Sequence, residues 1–151
     1  MVKKVFYLQN DGHLSKDPPK QLDRYAKECW RKVVPFLEST NKVQRIDSTL
    51  VELYCTQYEI YRKSYEDVQK NGIQTKAYKS LQDNMGEIVG KDFIGYKKNP
   101  AIGTMKDAVT LMTNIGSELG LSPKSRAELF KIVKSINKKS ATDSMKEFFG
   151  K

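Results

Sequence analysis

Four basic residues, Lys20, Arg24, Lys27 and Arg31, recur at steps of four, three and four. On an α-helix those steps hold the side chains within about 60° of one another, so the four cations form one stripe. Leu22, Tyr25, Ala26, Cys29, Trp30, Val33 and Leu37 give the same segment a broad apolar face. A second set, Lys124, Lys131, Lys134 and Lys138, spans about 80° by the same geometry, opposite Leu129 and Val133. Rows of ammonium and guanidinium groups neutralise phosphates and release counterions, so the chemistry they suit is binding of a polyanion, with duplex DNA the simplest case. Lysine dominates the second set and suits backbone contact, whereas the arginines of the first can also fork onto base edges. A solvated helix face is the plainer alternative for each.

Catalytic chemistry is harder to assemble. His13 is the only histidine, and no helical partner stands at metal-ligand spacing from it, so zinc sites of the HExxH kind and most Ser-His chemistry are excluded. No GxxxxGK[ST] occurs, which leaves no recognisable cradle for nucleotide phosphates. Cys29 and Cys55 lie inside helical patterns without a CxxC and read as buried, reduced thiols. Glu66–Asp67 and the Asp83, Glu87 pair sit at helix-surface spacing and read as solvated carboxylates. The expectation is a non-catalytic binding protein with no metal and no cofactor.

A length of 151 residues suits one compact domain, and 38% hydrophobic against 30% charged residues leaves limited apolar surface, so oligomerisation is expected. No apolar run approaches the roughly 18 residues of a membrane span, and Val5-Phe6-Tyr7-Leu8 is too short for a signal peptide, so the chain reads as intracellular. The net charge of +9 divides as +5 over residues 1–46, zero over 47–98 and +4 over 99–151. A neutral middle between basic ends suits protein contacts at the centre and nucleic acid at the flanks.

The elements that must position these residues read as an all-α chain. Residues 1–15, with the turn signal Asn10-Asp11-Gly12, form an arm, and residues 16–46 form a basic N-terminal helical segment starting at Asp17, with Pro35 kinking or breaking its last turn. Asp47 caps a long helix to about Lys70, stopped by Gly72. Along it Leu50, Tyr54, Tyr58, Tyr61, Tyr65 and Val68 form a narrow seam that wants a partner helix. Asn99 caps and Pro100 opens a third helix to Leu119, whose Met105, Val109 and Met112 share a face. Residues 47–121 are thus expected as a long antiparallel helical hairpin, the oligomerisation core, with an inserted loop at 72–98. In that insertion a short helix near Lys76 to Met85 precedes a short β-hairpin or ordered loop near 86–98. Gly120 ends the third helix. Leu121, the cap Ser122 and Pro123 open a fourth, with Ser125 and Glu128 as a capping box, and residues 122–151 form a basic C-terminal helix and tail. Met145, Phe148 and Phe149 make that tail look like a docking segment.

Several blocks resemble one family. Trp30 with Val33-Val34-Pro35 and Leu37 is similar to the first-helix signature of the small subunits of tailed-phage terminases, in the group common among cohesive-end phages. Ile46-Asp47 to Leu53-Tyr54-Cys55 is similar to its second-helix opening. The most specific block is Tyr96-Lys97-Lys98-Asn99-Pro100-Ala101 with Ser117-Glu118-Leu119-Gly120-Leu121-Ser122-Pro123-Lys124-Ser125-Arg126. The resemblance covers roughly residues 14 to 132, and its departure is at about 74 to 95, longer here than the family's usual connection. It implies a packaging initiation factor that binds cos or pac sites on double-stranded viral DNA, assembles as a homo-oligomeric ring with a nonamer as one expected size, and recruits the large terminase subunit that holds the ATPase and nuclease. It further implies an HNH endonuclease as an additional partner and the cytoplasm of the infected bacterial host as the location, with no membrane association. It supplies no DNA-contact motif, so the basic stripes rest on their own spacing. A small helical DNA-binding transcription regulator is the alternative reading.

Overall fold

The computed structural model describes residues 4–128 and residue 131. The chain divides into two compact units, Met1–Met112 and Thr113–Lys151. In the first, α1 (Arg24–Ser39) and α2 (Ser48–Asn71) pack together, strands β1 (Gln74–Gln82) and β2 (Ile88–Lys98) pair antiparallel, and α3 begins at Pro100 and runs to Glu118.

The core is the α1–α2 contact. Ala26, Cys29, Trp30, Val34 and Leu37 of α1 and Val51 and Cys55 of α2 are buried, and each large side chain so placed contributes about 1.5–3 kcal/mol. The Trp30 indole N–H donates to Ser15 O at 3.0 Å, so this buried ring keeps its polar end satisfied. Helix α1 is capped six residues later than the Asp17 expected from sequence. Asp23 is its cap, accepting from Arg24 N–H at 2.9 Å, and residues 18–23 are non-helical. Pro35 lies inside a continuous helix, removing only the donor that would serve the Arg31 carbonyl. The segment read as an arm forms short 3-10 turns within Phe6–Gly12, separated by a kink at Gln9, Asn10 and Asp11, followed by anchors on α1: Leu14 is buried, its N–H donates to Glu38 Oε1 at 2.6 Å, and His13 Nδ1 lies 2.8 Å from Glu38 Oε2. Asp47 does not cap α2 with its side chain. It serves instead in a capping box with Gln44 around a 3-10 turn at Arg45–Asp47.

The all-α expectation fails at 74–98, and with it the short helix near Lys76–Met85. Thr75, Tyr78, Val89, Phe93, Ile94 and Tyr96 favour extended backbone, and the segment is one two-stranded ribbon of 9 and 11 residues with register shifts at Ala77/Tyr78 and Leu81/Gln82. Its tip closes on Asp83, whose Oδ1 accepts from Met85 and Glu87 N–H, both at 2.9 Å, with Gly86 at φ +84°.

Asn99 closes the ribbon's base. Its Oδ1 accepts from Ala101 N–H at 2.9 Å, capping α3. Its Nδ2 donates to Asp67 Oδ2 at 2.9 Å and Gly72 O at 3.0 Å, and its backbone N–H donates to Ile73 O at 2.9 Å. The end of α2 and the start of α3 are therefore joined at one buried residue, 3% exposed. The two helices do not pack along one another among the described residues, so the expected intramolecular helical hairpin is replaced by a β-ribbon between two helix ends.

In the second unit the helix stops as the sequence predicts. Gly120 takes φ +73°, and Leu121 N–H reaches back to Gly116 O at 2.7 Å, the six-to-one bond of a Schellman stop. Ser122 Oγ then accepts from Ser125 N–H at 3.1 Å to start the helical stretch 123–128, and Arg126 Nη1 donates to Leu121 O at 2.9 Å. Ser125 is thus the partner of the Ser122 cap, not a cap paired with Glu128. No helix among the described residues is long and apolar enough to cross a membrane.

Candidate nucleic-acid interface

The buried side of α1 fixes where its cations point. With Ala26, Trp30, Val34 and Leu37 against α2, helix geometry puts Arg24, Lys27 and Arg31 on an arc of about 60° centred roughly 100° round from the packed face. Arg24 and Arg31 are exposed and Lys27 is half-buried. Lys20 does not join the stripe as a helical residue, because it sits in the exposed turn at 20–21 that precedes the helix.

What sequence spacing misses is the contribution of α2. The Arg62 guanidinium lies 4.9 Å from the Tyr25 ring centroid, and the Arg24 guanidinium lies 5.5 Å from the same ring. Arg62 also points Nη1 at Tyr58 Oη, 3.4 Å away, while its buried Nε has no hydrogen-bond partner among the described residues. The Tyr25 hydroxyl donates to Glu66, which pushes the phenol above its ordinary range. Tyr25 thereby gathers cations from two helices at the α1 N-terminus.

A second cluster sets that N-terminus in place. Glu59, only 7% exposed, accepts from Ala26 N–H at 3.0 Å, putting a carboxylate on the positive end of the α1 dipole. Lys63 Nζ lies 2.5 Å from Glu59 Oε1 and 2.9 Å from Asp23 Oδ2. Those two carboxylates hold the ammonium well above the usual lysine range, and Lys63 in turn holds the Asp23 carboxyl below its own. The recoverable signal was the row Val51, Cys55, Glu59, Arg62, Glu66, which steps by four and three along the face of α2 that meets α1.

Glu66, Asp67 and Asp83, read as solvated carboxylates, have structural partners. Glu66 accepts from Tyr25, and Asp67 accepts from Asn71 Nδ2 at 2.7 Å as well as from Asn99. Cys29 and Cys55 are both buried free thiols, with Cys55 pushed up by its hydrogen bond to Cys29 and by burial. Among the described residues no group of three or more His, Cys, Asp or Glu is placed to hold a metal.

Of the second basic set, Lys124 and Lys131 are exposed, while Lys134 and Lys138 lie outside the described residues, as do Met145, Phe148 and Phe149. The tyrosine seam lies about 100° round α2 from the α1-facing row. Leu50, Tyr54, Tyr58, Tyr61 and Val68 are half-buried, Tyr65 is 44% exposed, and the Tyr61 and Tyr65 rings stack at 6.3 Å. On α3, Met105 and Met112 are half-buried and Val109 is exposed.

A family model described as "Phage terminase, small subunit" matches residues 26–135. Neither the curated proteins nor the solved structures gave a match. The family match begins inside α1, so it takes in Lys27 and Arg31 but stops short of Lys20 and Arg24. It spans the ribbon and both helix boundaries at Asn99 and Gly120.

Proposed function

This chain belongs to the phage terminase small-subunit family, and from that premise we propose that it binds double-stranded viral DNA at a packaging site and recruits the large terminase subunit to begin genome packaging. The observation that carries the DNA-binding half is the basic arc of α1, exposed Arg24 and Arg31 with half-buried Lys27 between them, turned away from the face that is seated on α2. Arg62 extends the positive field across Tyr25. The role is regulatory and non-catalytic. The work is done in the host cytoplasm by a homo-oligomeric ring, nonameric in its expected form, with the large subunit and an HNH endonuclease as protein partners. Lys124, Lys131, Lys134 and Lys138 supply further phosphate contacts, and Met145, Phe148 and Phe149 dock the large subunit. The family match does not favour a transcription regulator.

Binding to fragments carrying viral genome ends and to random fragments, at two salt concentrations, tests this reading. Replacing Arg24, Lys27 and Arg31 together by Ala should weaken duplex binding and flatten the slope of log affinity against log salt by about 0.9 for each phosphate contact removed, roughly two to three in all. Unchanged affinity and slope in the triple variant would overturn the α1 assignment.

A further inference from the structure

The two faces of the β-ribbon are chemically unlike. Residues opposed across the strands share a face, and that face alternates along each strand. One face therefore carries the pairs Lys76 with Tyr96, Tyr78 with Phe93 and Ser80 with Lys91, bounded by Lys98 opposite Gln74. The other carries Thr75 with Lys97, Ala77 with Gly95, Lys79 with Asp92 and Leu81 with Gly90, small at its centre and without an aromatic ring. On the first face the three rings form one cluster: Tyr78 and Phe93 meet edge to face at 5.8 Å, and Phe93 and Tyr96 at 5.4 Å. They are 52%, 48% and 62% exposed, and the lysines around them are exposed as well. No carboxylate falls on this face by register.

We propose that this face is a second nucleic-acid site, which takes a short unpaired stretch of DNA by stacking bases on Tyr78, Phe93 and Tyr96 and holding phosphates with Lys76, Lys91 and Lys98. Three arguments select that occupant. Half-exposed aromatic rings framed by cations and free of acid match a polyanion carrying flat apolar groups, and every base presents such a face. In intact duplex the bases are already stacked on one another, so these rings find no partner there, whereas unpaired bases can be splayed onto a sheet. A protein-docking face would be expected to carry fewer lysines, since lysine is depleted from interfaces relative to the rest of the surface. The face runs about 20 Å from Gln74 to Ser80, enough for one base per ring with phosphates beside it.

The inference rests on the reading that the chain handles DNA, but it uses different residues from the α1 arc. The test is fluorescence anisotropy of the full chain with labelled (dT)12 and with a duplex of the same length. The variant Tyr78→Ala, Phe93→Ala, Tyr96→Ala should weaken (dT)12 binding about fivefold or more per ring. Because those rings also hold the ribbon together, a second variant, Lys76→Ala, Lys91→Ala, Lys98→Ala, removes charge without touching the cluster. It should lower the salt slope for (dT)12 by about two and leave duplex binding as in the parent. The Arg24, Lys27, Arg31 variant should do the reverse. No binding of (dT)12, a lysine variant indistinguishable from the parent, or (dT)12 affinity that falls with the α1 variant alone would each overturn the proposal. Duplex binding unchanged in the α1 variant, with ribbon-dependent (dT)12 binding intact, would overturn the α1 reading and leave this one standing.

Discussion

Asp23 does two jobs with one carboxylate, accepting the first amide of α1 and pairing with Lys63 of α2. Both interactions favour its charged form, so its folded pKa lies below the ordinary 3.8. The sign follows directly: the stabilisation is complete above pH 3.8 and disappears as pH falls through the lowered folded value. Asp23→Asn should be less stable than the parent at neutral pH and should show a shallower loss in acid, read as urea midpoints between pH 6 and pH 2. Parallel acid profiles would remove Asp23 from this role. At this scale the sequence was legible where burial is apolar: Trp30, Leu37 and Cys29 follow from helical spacing alone. Glu59 was not, because a glutamate mid-helix looks like surface charge until a neighbouring helix N-terminus is brought against it. Arg62 was hidden for the same reason, inside a segment whose charges cancel.

The elements connect through Asn99. An Ala there loses the α3 cap and should cost about 1–2 kcal/mol. Asn99→Asp is the sharper case. Aspartate caps helices as well as asparagine does, yet here it replaces a donor with an acceptor facing the Asp67 carboxylate and the Gly72 carbonyl. It should therefore destabilise at least as much as Ala, by chemical denaturation, and a neutral Asp would show that capping alone explains the residue. Helix stops and starts at Gly72, Asn99–Pro100, Gly120 and Ser122–Pro123 were readable because Gly and Pro at those positions have local causes. The start of α1 was not, since Asp17-Pro18-Pro19 and Asp23 offer competing caps and the advantage of the second, its ion pair with Lys63, comes from α2. The ribbon defeated the helix and loop expectations because both of its faces are exposed, so no alternation of polar and apolar residues marks its strands.

For the whole molecule, the tyrosine arc of α2 is a half-buried apolar surface turned about 100° from the row that meets α1. In the proposed ring that arc, with Met105, Val109 and Met112 of α3, meets a neighbouring subunit, and the neutral charge of residues 47–98 lets copies approach without repulsion. Light-scattering mass should then report an oligomer at micromolar concentration, and Tyr54→Ala with Tyr61→Ala should shift it to smaller species while the α1–α2 core stays folded. A parent chain that is monomeric throughout that range would end the ring model. The Asn99 closure has one more consequence. Between Ile73 and Asn99 the chain travels out along the ribbon and returns to within one hydrogen bond of its departure point. Whatever length the ribbon takes, the exit of α2 and the entry of α3 keep the same spacing. The excursion is a cassette, free to lengthen, shorten or change sequence over generations without disturbing the machinery to which it is fastened.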